Sequence, residues 1–301
     1  AAVFTNLTQD HLDYHRTMED YFAAKVKLFD TVAARKDGKL IINCDDTWGR
    51  RLIQKYESHP GLIRYGLGVQ ADYRATNVRY DLTGTQFELE HKGRGLLVRS
   101  PLIGGFNVYN TLAAVATAHA VGCNLRDMVT AMKSAPQVPG RLERVVVTGT
   151  EPFQVFVDYA HTPDAIINVL KTVRQMRPTR VITVFGCGGD RDRTKRPLMA
   201  RAAEEGSDVC VLTSDNPRSE DPRQIIDDAR KGFGREGHAL IVDRNEAIHT
   251  AIGHARRGDI IIIAGKGHEG YQEIKGVRHA FDDRQVAKYA MSDWMRDRAD
   301  R

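Results

Sequence analysis

The second half of the chain contains five short runs of apolar, mostly β-branched residues, at 155–157, 181–185, 209–213, 240–242 and 259–264. Helical segments separate most of them. Strands that are continuously apolar, rather than alternating, belong to parallel sheets covered on both faces. This part of the chain is therefore expected to be α/β and Rossmann-like in outline.

The first half carries a different signal. Residues 17–34 place Met18, Tyr21, Phe22, Val26 and Phe29 at helical spacing. A short strand is expected at 39–43 and a helix at 47–56. From 62 to 102 the pattern changes to alternation broken by glycine turns, with 86–90 and 95–99 read as antiparallel strands. Residues 107–121 form an Ala-rich helix and 126–133 a second one. Pro136 and Pro139-Gly140 then break the chain, and the domain boundary is set there, giving 1–139 and 140–301. Residues 1–6 read as the end of a strand already in progress.

A length of 301 residues suits two domains. The net charge is +5 and the pI about 9.0, but no Lys/Arg block is interleaved with aromatics. The charge therefore favours phosphate or carboxylate substrates, and no nucleic-acid partner is expected. Cys44, Cys123, Cys187 and Cys210 lie far apart and form no CxxC pair. Thiolate metal binding is thus disfavoured, and a reducing cytoplasm is the simplest setting. No apolar run approaches the length of a membrane span, so no membrane partner is expected.

Several stretches carry chemistry. Asp215-Asn216-Pro217-Arg218 follows an apolar run, where α/β sheets bind ligands. Asn216 donates and accepts, Pro217 stiffens the turn, and Arg218 offers a planar fork for a carboxylate. The set suits a small zwitterion with a spare carboxylate; the plain alternative is a helix-initiating turn, since Asp221-Pro222 follows. Residues 186–192 look like a dinucleotide loop, but Arg191 occupies the third glycine position of a GxGxxG pattern. Arg191, Arg193, Lys195 and Arg196 would meet anions there or simply face water. His11 and His15 share the i, i+4 spacing of zinc peptidases, yet Leu12 stands where their glutamate base belongs. Lys25 lies on the apolar-patterned helix, where it is either drawn toward the core with a lowered pKa or extended to water. Asp158 ends a strand and suits ribose hydroxyls, with Thr162 as helix cap and Pro163 in the first turn. His161 reads as a turn residue and Asp164 as a helix-dipole partner. Gly265 allows close approach to the backbone, and Glu269 can accept from an ammonium group.

Eight stretches in order, at 4–15, 23–25, 104–110, 140–143, 158–165, 186–192, 215–218 and 265–269, resemble the Mur ligases of peptidoglycan synthesis, and among these the diaminopimelate-adding members. The resemblance covers nearly the whole chain. It implies the C-terminal part of a central ATPase domain followed by a Rossmann-like amino-acid-binding domain, with ATP and Mg²⁺ as cofactors. It implies that His11 ligates Mg²⁺ and that Lys25 is carbamylated into an anionic metal ligand. Asn107 and Arg141 would meet the nucleotide, with Asp158 at the ribose. Arg191, Asp215, Asn216, Pro217, Arg218, Gly265 and Glu269 would hold meso-diaminopimelate, which is added to a UDP-N-acetylmuramoyl dipeptide through an acyl phosphate. Diaminopimelate exceeds lysine by one carboxylate, which Arg218 would pair. The family's N-terminal domain, its GxxxxGK[ST] phosphate loop and a metal-binding glutamate are not in the sequence, so the chain alone is expected not to hydrolyse ATP. The competing expectations are a lysine-adding or folylpolyglutamate-forming relative, a non-catalytic amino-acid or nucleotide-binding module, and an NAD-dependent dehydrogenase using residues 186–189.

Overall fold

The computed structural model describes residues 1–8 and 15–299. It divides into two compact units, Ala1–Pro136 and Gln137–Arg301. The division falls three residues before the boundary expected after 139.

The first unit contains β1 (Ala2–Phe4), α1 (Met18–Ala33), β2 (Leu40–Asn43), α2 (Thr47–Lys55), β3 (Leu62–Gly66), β4 (Tyr73–Asp81), β5 (Gly84–His91), β6 (Arg94–Ser100), α3 (Gly105–Ala120) and α4 (Leu125–Ala131). Its sheet runs β1-β2-β3-β4-β5-β6, parallel as far as β4 and antiparallel beyond. The change of direction matches the change of pattern: β2 is buried at all four positions, whereas β4 alternates and presents one face. Asp46 caps α2 by accepting from the N–H groups of Trp48 and Gly49, satisfying donors the helix leaves open.

The second unit contains β7 (Glu143–Val145), β8 (Gln154–Asp158), α5 (Pro163–Gln175), β9 (Val181–Cys187), α6 (Lys195–Gly206), β10 (Val209–Ser214), α7 (Pro222–Arg230), β11 (Ala239–Ile241), α8 (Arg244–Gly253), β12 (Ile260–Ala264), β13 (Tyr271–Ile274), β14 (Val277–Ala280) and α9 (Asp283–Ala299). The strand order is β11-β10-β9-β12-β8-β7, with β7 the single antiparallel member. Ile261 and Ile263 of β12 join a core with Ala247, Ile248, Ala251 and Ile252 of α8 and with Ala287 and Met291 of α9. Their neighbours Ile260 and Ile262 are equally buried on the opposite side. Both faces of the sheet are therefore covered, which is why its strands read as unbroken apolar runs. Each such isoleucine contributes roughly 1.5–3 kcal/mol by leaving water. Helices α5, α6 and α7 pack side by side along one face, while α8 and α9 pack together on the other. The helices that follow β9 and β12, α6 and α9, lie on opposite faces of the sheet, the arrangement that opens a crevice at the carboxyl ends of such strands.

Candidate amino-acid and nucleotide site

The loops after β9, β10 and β12 meet at that crevice. Asn216 is almost fully buried and donates from Nδ2 to Glu269 Oε2 at 2.8 Å. Its Oδ1 accepts from Lys266 Nζ at 3.1 Å and from the Glu273 N–H at 2.9 Å. Asp215 accepts the Asn216 N–H at 2.7 Å, and Gln272 Nε2 donates to the Asp215 carbonyl at 2.7 Å. Gly265 has φ +118, and a Cβ there would run into the Asp215 carboxylate, so the turn requires glycine. Asp215, Asn216, Gly265 and Glu269 are thus one connected cluster, with Pro217 buried beside it.

Arg218 stands at φ 53, a left-handed conformation that costs a non-glycine residue about 1–2 kcal/mol. Two backbone bonds hold it: its N–H donates to the Glu273 carbonyl at 3.0 Å, and its carbonyl accepts from the Lys275 N–H at 2.6 Å. The hairpin β13–β14 therefore keeps the strained residue in place. Arg218 Nη1 donates to the Gly189 carbonyl at 2.6 Å, and no other described hydrogen bond uses its fork. A side chain at Gly188 would meet both Arg218 and Arg191, so glycine there lets the two guanidinium-bearing residues flank one space.

The loop after β9 corrects two readings. Its backbone is already engaged: Gly189 N–H donates to the Asn216 carbonyl at 2.9 Å, and Asp190 N–H to Glu220 Oε1 at 2.7 Å. Those amides brace the loop instead of facing a pyrophosphate, which disfavours the dinucleotide reading. The expected cluster of free basic residues also dissolves. Arg196 is buried and paired with Glu220 at 2.8 Å and Asp228 at 3.0 Å, while Arg193 pairs with Glu220 at 2.8 Å. Arg191 is exposed and donates from Nη1 to the Asp190 carbonyl at 3.3 Å, and Arg193 is exposed beside its ion pair.

Two buried cations escaped the sequence reading. Lys266, fully buried, bonds Glu269 Oε2 at 3.0 Å as well as Asn216. Arg244 grips Asp283 with Nε at 2.8 Å and Nη2 at 2.7 Å. Its remaining donors reach the carbonyls of Ser214 at 3.2 Å and Ala264 at 3.0 Å. Those carbonyls immediately precede Asp215 and Gly265, so the clamp sets where both loops leave the sheet. The Gly-Lys-Gly pattern at 265–267 was the available signal for Lys266.

Beside this cluster lies Asp158, at the end of β8. It accepts the Leu142 N–H at 2.6 Å, and the Arg141 guanidinium sits 4.9 Å from the centre of the Tyr159 ring. Gly140 has φ +67 and packs against the backbone of Gly267 and His268, tying this loop to the one after β12. Thr162 caps α5 and Pro163 opens it, as expected. His161 Nδ1 lies 2.9 Å from the Tyr159 carbonyl. The donor set at Asp158, a carboxylate with an exposed cation and an aromatic face beside it, fits a ribose and its attached phosphates in kind.

Burial raises the Asp158 carboxyl from 3.8 to about 6, against the smaller lowering by Leu142 N–H and Arg141. The folded protein thus keeps a proton that the unfolded chain releases in that interval. Stability carried by this carboxyl is full below about pH 4 and is lost as pH rises to about 6. The loss is on the order of 3 kcal/mol. Asp158→Asn should abolish it, since the amide oxygen can still accept from Leu142. Urea midpoints of both proteins at pH 4 and pH 7 would measure the difference, and parallel pH dependence would contradict it.

In the first unit, Asn107 is buried near the start of α3, donating to the Ile103 carbonyl at 2.9 Å and accepting from Asn110 Nδ2 at 3.0 Å. Lys25 is not drawn toward the core. It lies on the exposed first half of α1, its ammonium 5.1 Å from the centre of the Tyr21 ring, while the buried residues of that helix are Phe29 and Val32. His11 lies outside the described residues. His15 stacks on Tyr21 with ring centroids 4.8 Å apart. Among the described residues no group of three or more His, Cys, Asp or Glu side chains is arranged to hold a metal ion. The magnesium expectation therefore rests on His11 and Lys25.

Comparison with known proteins identifies the family. Residues 1–118 match the Mur ligase middle domain, and residues 140–267 the Mur ligase glutamate ligase domain. The UDP-N-acetylmuramoyl-L-alanyl-D-glutamate–2,6-diaminopimelate ligase of Solibacter usitatus is 49% identical over 289 residues, covering 95% of this chain and 58% of that protein. The protein of the same name from Aquifex aeolicus is 47% identical over 289 residues, covering 96% of this chain and 58% of its own length. A solved structure of a ligase of that name superposes with a TM-score of 0.64 at 42% identity, covering 97% of this chain and 60% of the other. The chain thus spans just under three fifths of the length of the curated relatives it matches. Two domain matches in the family's own order, and nearly half of all residues shared with these relatives, place the chain in the Mur ligase family.

Proposed function

We propose that the chain is the part of an ATP-dependent ligase that contacts the nucleotide and selects the incoming amino acid. The ligase would join meso-diaminopimelate to the terminal glutamate of UDP-N-acetylmuramoyl-L-alanyl-D-glutamate, in the cytoplasm. The observation that carries this reading is the cluster of Asn216, Glu269 and Lys266 beside Arg218: an acceptor for an ammonium group and a fork for a spare carboxylate at one strand-end crevice. The relatives' names support the same amino acid.

In this reading Glu269 takes the ammonium at one end of the diamino acid, and Arg218 with Arg191 takes the adjacent carboxylate. Asn216 fixes the orientation, while Asp215, Pro217 and Gly265 shape the turn. In the second unit Arg141 and Asp158 would meet the nucleotide; in the first unit Asn107 is that unit's own candidate nucleotide contact. His11 and carbamylated Lys25 would hold Mg²⁺, whose charge neutralises phosphate oxygens when bound. Phosphoryl transfer from ATP to the glutamate carboxylate would give ADP and an acyl phosphate; attack of the free amine on its carbonyl would form the amide, release a proton and expel inorganic phosphate. The chain's contribution is positioning, which makes the attack effectively intramolecular. The test is ADP release by the chain extended upstream to the length of its relatives, with the UDP-linked dipeptide and either meso-diaminopimelate or L-lysine. Release with diaminopimelate alone is expected. Equal release with lysine would sink the amino-acid assignment, and silence with both would leave a binding module.

A further inference from the structure

We propose that Lys266 is a positioning residue that fixes the polarity of the amino-acid socket. This rests on the reading above that the crevice binds an amino acid. Lys266 is fully buried, a costly position for an ammonium unless every proton has a partner. Its nitrogen lies 3.1 Å from Asn216 Oδ1, 3.0 Å from Glu269 Oε2 and 5.4 Å from the centre of the Tyr271 ring. Three protons thus meet two oxygens and one aromatic face.

The consequence lies in what these bonds leave over. Asn216 Oδ1 accepts from Lys266 and from Glu273 N–H, which uses both its lone pairs. Glu269 Oε2 accepts from Lys266 and from Asn216 Nδ2. No described hydrogen bond uses the second Asn216 N–H or Glu269 Oε1. One donor and one anionic acceptor therefore remain side by side, the polarity that matches the carboxylate and ammonium of an amino-acid head. An amide is nearly symmetric in shape, so its direction must be set by its partners. Without Lys266 the direction would rest on the Glu273 N–H and on Glu269 Oε2 alone, and Glu269 would lose the buried counter-charge that holds it in place.

Calorimetric titration of meso-diaminopimelate into the wild-type chain, Lys266→Met, Lys266→Arg and Glu269→Gln tests this, together with the Asn216 side-chain amide resonances of each ligand-free protein. Lys266→Met should weaken binding about tenfold or more, the loss of one charge-assisted bond, and shift the Asn216 amide pair. Lys266→Arg keeps the cation over Tyr271 and should hold binding and resonances near wild type, which separates polarity from folding. Binding by Lys266→Met within twofold of wild type, while Glu269→Gln weakens it, would overturn the role of Lys266 and leave the socket standing. If wild type itself fails to bind, the reading of the site falls. The amide resonances then decide the positioning role alone, and a pair unmoved in Lys266→Met overturns it.

Discussion

Replacing Arg244 by methionine should cost the second unit about 3–5 kcal/mol, the range for breaking a buried ion pair from one side. The cost arises from what remains. Asp283 is fully buried, and without the guanidinium its charge has neither water nor a counter-ion. Asp283→Leu should cost a similar amount by stranding Arg244. The double variant Arg244→Met/Asp283→Leu removes both charges and fills the space with apolar atoms, so it should be more stable than either single one. Urea unfolding of the four proteins followed by circular dichroism completes the cycle, and strictly additive losses would contradict the buried-pair account. The functional consequence follows from the other two Arg244 bonds. They end at Ser214 and Ala264, so the turns carrying Asp215 and Gly265 lose their anchor with the pair.

The same pair shows where the sequence becomes unreadable. Arg244 opens a helix, the end where a cation is electrostatically unfavourable, and nothing local marks it as a core residue. Its reason for being there is Asp283, 39 positions later, on a helix that carried no recognised signal. Strands buried on both faces announced themselves, because each needed an unbroken apolar run; β8, β9, β10 and β12 lie where such runs stand. The antiparallel β7 did not, since Glu143-Arg144-Val145 has no pattern and is a strand only because β8 offers it an edge. Lys25 shows a different limit. Helical spacing defines a face but not which turns of it are covered, and only the second half of α1 is buried. At the crevice, the residues with a local motif were legible one by one. Their connection was not: the bond from Asn216 to Glu269 spans 53 positions and depends on β10 and β12 flanking β9.

Arg218 should set the choice between meso-diaminopimelate and L-lysine. The two amines differ by one carboxylate, and a guanidinium binds a carboxylate through two parallel bonds that an ammonium cannot reproduce. Hydrogen bonds to charged groups contribute about 1.5–3 kcal/mol, so Arg218→Ala should weaken diaminopimelate binding by roughly 10- to 150-fold. Arg218→Lys should recover only part of this, because it restores charge without the fork. Lysine should behave oppositely: it binds the wild-type site poorly because it offers the half-buried guanidinium no carboxylate, and Arg218→Ala removes that penalty. The fold should tolerate the change, since the bonds holding residue 218 to Glu273 and Lys275 come from its main chain. The lost bond to the Gly189 carbonyl should cost about 1 kcal/mol of stability. Titrating both amino acids into both proteins separates the possibilities. A fall in diaminopimelate affinity with lysine unchanged or improved assigns selection to Arg218, whereas an equal fall for both would make it a general binding residue. The left-handed backbone at Arg218 then has a functional reason: the turn accepts a strained conformation to aim one side chain across the crevice.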